Sequence, residues 1–267
     1  MKRAQRACII TQILTENPNK DYPLAYFADR FGCAKSSVSE DLQIVRQAVE
    51  DAGLGYVETT AGAKGGVRYV PYISKEESSE ELKRFGNMLA QPDRSIGSGF
   101  IYTTDLMSDP VFVTLAARVF ARHFAATEAD AVVTVETKGI GVAMMTARFL
   151  NLPLVVVRRE AKVSDGSTIS INFFSGSADR IQKMSLSKRA IKPGCRAIII
   201  DDFMRGGGSV KGMQDMLAEF DARTVGVGVV IVAGKDEQKK IGSYFPIFHY
   251  DDGGDVCKVS VNPELII

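Results

Sequence analysis

Histidine occurs only twice in the 267 residues, at His123 and His249, and the four cysteines (Cys8, Cys33, Cys195, Cys257) stand far apart without a Cys-x-x-Cys spacing. Zinc sites need Cys and His ligands at short, regular spacings, so no metal site is expected from these residues. The scattered thiols fit reduced, mostly buried side chains of a cytoplasmic protein. No apolar run approaches the roughly 18 residues of a membrane-crossing helix. Lys2, Arg3 and Arg6 followed by Ala7-Cys8-Ile9-Ile10 imitate the start of a signal peptide, but Thr11 and Gln12 interrupt the run too early. There is no internal repeat, no low-complexity tract and no excess of one charge. A net charge of +1 gives no long-range field, so any nucleic-acid binding must come from a local patch.

What remains is an ordinary soluble composition, 45% hydrophobic and 24% charged, in a chain longer than most single compact domains. The pattern divides near Ser74. In residues 1–74, Ile9, Ile10, Ile13 and Leu14 share one helical face, and Pro18 stops that helix near Asn17. Pro23 suits a first helical turn, Leu24, Phe27, Ala28 and Phe31 repeat at helical spacing, and Gly32 supplies the left-handed end. Ser37 with Glu40 reads as a capping box, after which Val38, Leu42, Val45 and Val49 form one stripe up to Gly53.

A short helix, a tight turn containing glycine and a second amphipathic helix make a helix-turn-helix. Its outward face carries Lys35, Ser36, Ser39, Gln43, Arg46 and Gln47, groups that bond to phosphate oxygens and base edges. Lys2, Arg3 and Ser37 are counted with these candidate DNA contacts. Tyr56 to Thr60 and Val67 to Val70 flank the glycine-rich Ala61-Gly62-Ala63-Lys64-Gly65-Gly66, which reads as a hairpin wing. Lys64 and Arg68 are placed there to touch phosphate or minor groove. A winged helix favours duplex DNA over RNA as the partner.

In residues 75–267 a connecting helix built on Leu82, Phe85 and Leu89 precedes an alternation of apolar runs and helical patterns. Strands are expected over 131–136, 154–158, 196–202, 225–233 and 256–261, and helices over 140–150 and 209–220. Continuous runs such as Ala197-Ile198-Ile199-Ile200 imply strands buried on both faces, hence an α/β fold with a parallel sheet flanked by helices. Ligands bind such sheets at the carboxyl ends of the strands. The loops after Glu136, Arg158 and Asp202 therefore hold the candidate site.

The third of these loops carries the strongest signal: Asp201-Asp202-Phe203-Met204-Arg205-Gly206-Gly207-Gly208-Ser209. Glycines let backbone amides approach an anion, and the N-terminus of the following helix attracts a phosphate. Two adjacent carboxylates are costly to crowd together unless a cation or sugar hydroxyls compensate them. A phosphorylated sugar satisfies both halves of such a site.

The segment resembles the motif with which type I phosphoribosyltransferases bind 5-phosphoribosyl 1-pyrophosphate (PRPP): four apolar residues, two acids and a Thr-Gly-Gly-Thr turn. The match covers Asp201, Asp202, Gly207, Gly208 and the hydroxyl of Ser209. Arg205 and Gly206 depart from it, adding a cation and losing a hydroxyl. Thr137-Lys138-Gly139 resembles the family's pyrophosphate loop, and the stretch from Arg158 through Lys162 to Gly166-Ser167-Thr168 its basic flexible loop. The resemblance implies that Lys138, Arg158 and Lys162 neutralise pyrophosphate together with Mg²⁺. It also implies that Phe203, with Tyr102 as a weaker candidate, lines the nucleobase side.

Joined to a winged helix, such a domain resembles the purine operon repressor family of Gram-positive bacteria over nearly the whole chain. That resemblance implies a homodimer bound to inverted repeats, released by PRPP as effector, and not an enzyme. A guanine nucleotide with a polyphosphate tail would compete for the same cradle. The alternative is a working purine phosphoribosyltransferase with a regulatory DNA-binding arm.

Overall fold

The structure is a computed structural model describing the chain except residue 54 and residues 61–64, 98–99, 176–179, 235–238 and 252–257. Lys64, named above as a wing contact, and the first part of the expected 256–261 strand lie outside the described residues.

Three helices open the chain, α1 (Arg3–Glu16), α2 (Leu24–Phe31) and α3 (Lys35–Asp51), followed by the antiparallel strands β1 (Gly55–Thr59) and β2 (Val67–Pro71). Their shared core is Ile10 and Leu14 from α1, Phe27 from α2, Val38, Leu42 and Val45 from α3, and Val57 and Val67 from the strands. The helical stripes read from the sequence are thus the buried faces. Gly32 ends α2 in the left-handed conformation at φ 61°. Two local expectations need correction. Pro23 precedes α2 as its flanking residue, and α3 begins at Lys35 after Ala34, so Ser37 lies inside the first turn. Ser37 therefore forms no capping box with Glu40, whose carboxylate faces Arg3 at 3.6 Å. A Ser-x-x-Glu capping box does start α4 (Lys75–Leu89): Glu77 N donates to Ser74 Oγ (3.0 Å) and Ser74 N to Glu77 Oε2 (3.1 Å).

Beyond α4 come a small hairpin of β3 (Ser95–Gly97) and β4 (Phe100–Ile101), helix α5 (Pro110–His123), β5 (Ala131–Val135), α6 (Ile140–Leu150) and β6 (Leu154–Val157). A long hairpin of β7 (Thr168–Ser175) and β8 (Arg180–Ser187) leads to β9 (Arg196–Met204), α7 (Gly208–Ala218), β10 (Arg223–Ala233), β11 (Phe245–Asp251) and β12 (Lys258–Val261). The central sheet runs β12-β11-β10-β9-β5-β6 and is parallel except for the antiparallel edge strand β12.

Each face of the sheet has its own core. Leu82 and Phe85 of α4, Phe112 and Phe120 of α5, and Ala143 of α6 cover one side with Phe248. Val210, Met213 and Met216 of α7 cover the other, with Phe173 and Met184 from the β7–β8 hairpin. Each fully buried Phe contributes about 1.5–3 kcal/mol relative to an exposed one, which fixes the sheet that carries the site. No helix among the described residues is long and apolar enough to cross a membrane.

Candidate functional site

Strand β9 runs two residues further than the sequence pattern indicates, delivering Asp201 and Asp202 to the carboxyl end of the sheet between β5 and β10. The turn that follows closes on Gly207, whose φ of 74° suits glycine, and α7 starts at Gly208. The carbonyl of Gly206 accepts from Lys240 N at 3.0 Å, and that of Arg205 accepts from the Lys239 ammonium. The first amides of α7 have no acceptor within their own helix and form an anion-binding end. Asp201, Phe203 through Val210, and Phe100 enclose a pocket of about 70 Å³. That volume suits one phosphate group. A larger cavity of about 540 Å³, lined in part by His123, Gln214, Phe245 and Glu264, lies at the other end of β10 and shares no residue with the cradle.

The acids are not equivalent. Asp201 is buried, its Oδ1 accepting from Asp202 N at 3.0 Å, whereas Asp202 is half-buried. Burial, followed by the neighbouring Asp202 charge, pushes the Asp201 carboxyl well above the usual range. Burial also raises Asp202, against the opposing charges of Lys138 and Arg159.

Thr137, Lys138 and Gly139 follow β5, with a cis peptide between Glu136 and Thr137. Thr137 and Lys138 are exposed, and Gly139 is buried at the start of α6. Beneath it, Thr134 Oγ1 is buried and has no hydrogen-bond partner among the described residues. The basic loop arrives differently from the sequence expectation. Arg158 is tied by its backbone to Ser185 and by its guanidinium to Asp165 (3.6 Å) and Glu136 (3.9 Å). Lys162 is exposed, its amide donating to Asp165. It is Arg159 whose charge reaches both acids, its amide held by Glu136 Oε1 at 2.6 Å.

The aromatic side of the cleft also differs. Tyr102 is 46% exposed and does not line it, because Arg94 holds the Tyr102 backbone and Asp105 and so leaves the ring in solvent. Phe100 takes the place by the cleft, stacked on Phe203 at 5.9 Å with the Arg205 guanidinium 5.8 Å from its ring. Phe100 and Arg159 were not singled out from the sequence. A lone aromatic in a two-residue strand gives no periodic signal, and Arg159 is one of two adjacent arginines distinguished only by direction.

On the winged helix, Lys2, Lys35, Ser36, Ser39 and Gln43 are exposed and Ser37 is half-buried. Arg46 is instead turned inward, donating to Val57 O (3.1 Å) and Thr59 Oγ1 (2.8 Å) of β1. Arg68 is paired with Glu58 at 2.7 Å, and Arg3 lies 3.5 Å from Asp41.

The family model described as "Bacterial purine repressor, N-terminal" matches residues 2–71, and a phosphoribosyl transferase domain model matches residues 104–258. The Bacillus subtilis purine biosynthesis transcriptional repressor PurR is 42% identical over 246 residues, 92% of this chain and 86% of that protein. The Lactococcus lactis protein named purine biosynthesis transcriptional activator PurR is 36% identical over 265 residues, 99% of this chain and 97% of that one. Among solved structures, adenine phosphoribosyltransferase from Thermoanaerobacter pseudethanolicus superposes with a TM-score of 0.53 at 19% identity, covering 62% of this chain and 96% of that one. That likeness establishes the fold of the second domain. With identity sustained across both domains, the chain belongs to the bacterial PurR family of purine biosynthesis transcription regulators.

Proposed function

We propose that this chain represses genes of purine synthesis and transport and leaves DNA when PRPP fills the cradle after β9. The observation that carries the reading is the pairing of a glycine cradle with two crowded acids, in one chain with a winged helix. Residues 1–74 form the reading head and residues 75–267 the effector domain. In this account Lys35, Ser36, Ser39 and Gln43 meet phosphates and base edges. Amides of Gly206 to Ser209 hold the 5-phosphate, and Asp201 and Asp202 accept from ribose hydroxyls. Lys138 and Arg159, with Arg158 and Lys162 on the same loop, face the pyrophosphate. Mg²⁺ would supply charge neutralisation there, using oxygens of PRPP and the acid pair. A guanine nucleotide with a polyphosphate tail would compete for the same amides.

The chain works as a homodimer on inverted repeats in the cytoplasm, the exposed Val111 and Met144 of α5 and α6 offering apolar area to a second copy. Catalysis is not expected. Phe100 already stacks on Phe203 and faces Arg205, so its ring is engaged on the side where a transferase must hold a nucleobase in attack geometry. The intact acid pair favours the second reading, a working purine phosphoribosyltransferase, and pyrophosphate release on incubation with PRPP, Mg²⁺ and each purine base would establish it. The repressor reading is tested by gel shifts on a purine-gene promoter at fixed salt. PRPP with Mg²⁺ should release wild-type protein but not Asp201→Ala or Asp202→Ala. Release that persists in both variants rejects the assignment, and DNA binding that rises with PRPP would assign activation, the role in the Lactococcus relative's name.

A further inference from the structure

Helix α6 is anchored at both ends to different functional units. Its first turn follows the candidate pyrophosphate loop, and there is no slack at that end. A Cβ at Gly139 would stand 2.9 Å from Thr134 Oγ1 and 3.6 Å from Asp201 Oδ1. Eleven residues later, about 16 Å along the axis at 1.5 Å per residue, the helix ends on Asn151 in the left-handed conformation at φ 56°. The carbonyls of the last turn need donors from outside the helix. One of them, Phe149 O, receives its hydrogen bond from the reading head: Asn19 Nδ2 donates to it at 2.6 Å. Asn151 Nδ2 reaches back toward Asn19 O at 3.4 Å.

Asn19 is itself fixed to the wing. Its amide donates to Tyr69 O at 2.8 Å, Tyr69 is paired with Val57 across β1 and β2, and Val57 O accepts from Arg46 of the helix-turn-helix. The domains also meet where Arg122 Nη1 of α5 donates to Ile73 O at 2.7 Å, and open cavities flank the Asn19 contact. A cavity of about 410 Å³, between Pro18 and Leu152, lies on one side. Another of about 270 Å³, between Arg68 and Phe124, lies on the other. The hydrogen bond thus lies between two open cavities, at the end of α6 where Phe149 packs on Ala117 and Ala121 of α5.

We propose that Asn19 is the joint between effector site and reading head: a helix cap supplied by one domain to the other, through which displacement of α6 by an anion at its first turn reorients the wing. The proposal rests on the PRPP reading above and names its route. Asn19 and Asn151 are positioning residues, since neither touches effector or DNA in this account. Both stand at φ 56°, a conformation glycine adopts without strain, so Asn19→Gly and Asn151→Gly delete the side chains and keep the backbone.

The test uses the full chain and three measurements: operator affinity without PRPP, operator affinity with saturating PRPP and Mg²⁺, and PRPP affinity without DNA. In Asn19→Gly the first and third should stay within about threefold of wild type, while the ratio of the first two falls at least about fivefold, the low end of ordinary allosteric coupling. Asn151→Gly should move that ratio in the same direction by less. A wild-type ratio in both variants overturns the joint while leaving PRPP as effector. A wild-type protein whose DNA affinity ignores PRPP overturns the effector reading and the joint with it. Loss of PRPP affinity itself in Asn19→Gly would also overturn the proposal, because the residue would then be supporting the site and not transmitting from it.

Discussion

Gly139 sits on Thr134 so closely that a side chain there would stand 2.9 Å from Thr134 Oγ1 and 3.4 Å from the Asp202 amide nitrogen. Its φ of −67° is ordinary, so the requirement for glycine is steric. Gly139→Ala must push the first turn of α6 off the acid pair, a small-to-large change costing about 1–3 kcal/mol. PRPP affinity should fall about tenfold or more, which is about 1.4 kcal/mol, with DNA affinity in the absence of PRPP retained. Unchanged binding in calorimetry would mean that the loop is not part of the site.

The crowded acids predict proton release. Burial raises both carboxyls, with the Asp202 charge adding to the rise at Asp201, so between the ordinary carboxylate range and the raised values the folded chain holds protons that the unfolded chain has lost. Their contribution to stability is therefore fully present below the ordinary range and declines as pH rises through the raised values. Asp201→Asn should melt above wild type at neutral pH. Ribose hydroxyls and a divalent cation favour the ionised form, so binding of PRPP with Mg²⁺ should expel protons. Calorimetry in buffers of unequal ionisation enthalpy reads this directly, and identical heats in all of them would contradict it.

Much of this architecture was legible because it is periodic. The stripes Ile10 and Leu14, then Val38, Leu42 and Val45, became the buried faces of α1 and α3, and Ala197 to Ile200 became a central strand. Helix α5 was not read from the sequence, although Phe112, Val113, Leu115, Ala116, Ala117, Val119 and Phe120 are all buried and Val111 and His123 at its ends are exposed. The β7–β8 hairpin hid because its Ser, Asn and Lys positions resemble a loop, although Phe173 and Met184 pack under α7. For the site, the glycine cradle and acids were explicit in the chain order. The role of Phe100 and the choice of Arg159 over Arg158 depend on where Arg94 and Asp165 pull their neighbours, which is tertiary information.

The cations of the winged helix should divide into two groups by mutation. Lys35 is exposed on the first turn of α3, so Lys35→Ala should weaken DNA binding, flatten the logarithmic salt dependence by about one unit and leave the melting temperature alone. Arg46 bonds to both Val57 O and Thr59 Oγ1, so Arg46→Ala should lower the melting temperature as well as DNA affinity. Identical behaviour of the two variants would show that Arg46 leaves β1 to read DNA.

Asp41 is the buried anchor of the same domain. Its side chain is fully buried in α3 yet accepts two hydrogen bonds from Arg6 of α1, from Nε at 2.6 Å and Nη2 at 3.1 Å, with Arg3 Nε at 3.5 Å. The Asp41 hydrogen bond raises the Arg6 guanidinium pKa, burial opposing it, so the arginine stays charged at any working pH. A planar fork matched to a carboxylate cannot be replaced by a point charge. Arg6→Lys should therefore lose one of the two bonds and lower the melting temperature of the reading head. Arg6→Met should lower it further, because the buried carboxylate is then left without its bidentate partner. The double change Arg6→Met with Asp41→Leu removes both charges and should recover much of the loss. A double variant no more stable than Arg6→Met alone would show that the α1–α3 contact depends on packing around the pair and not on the charges.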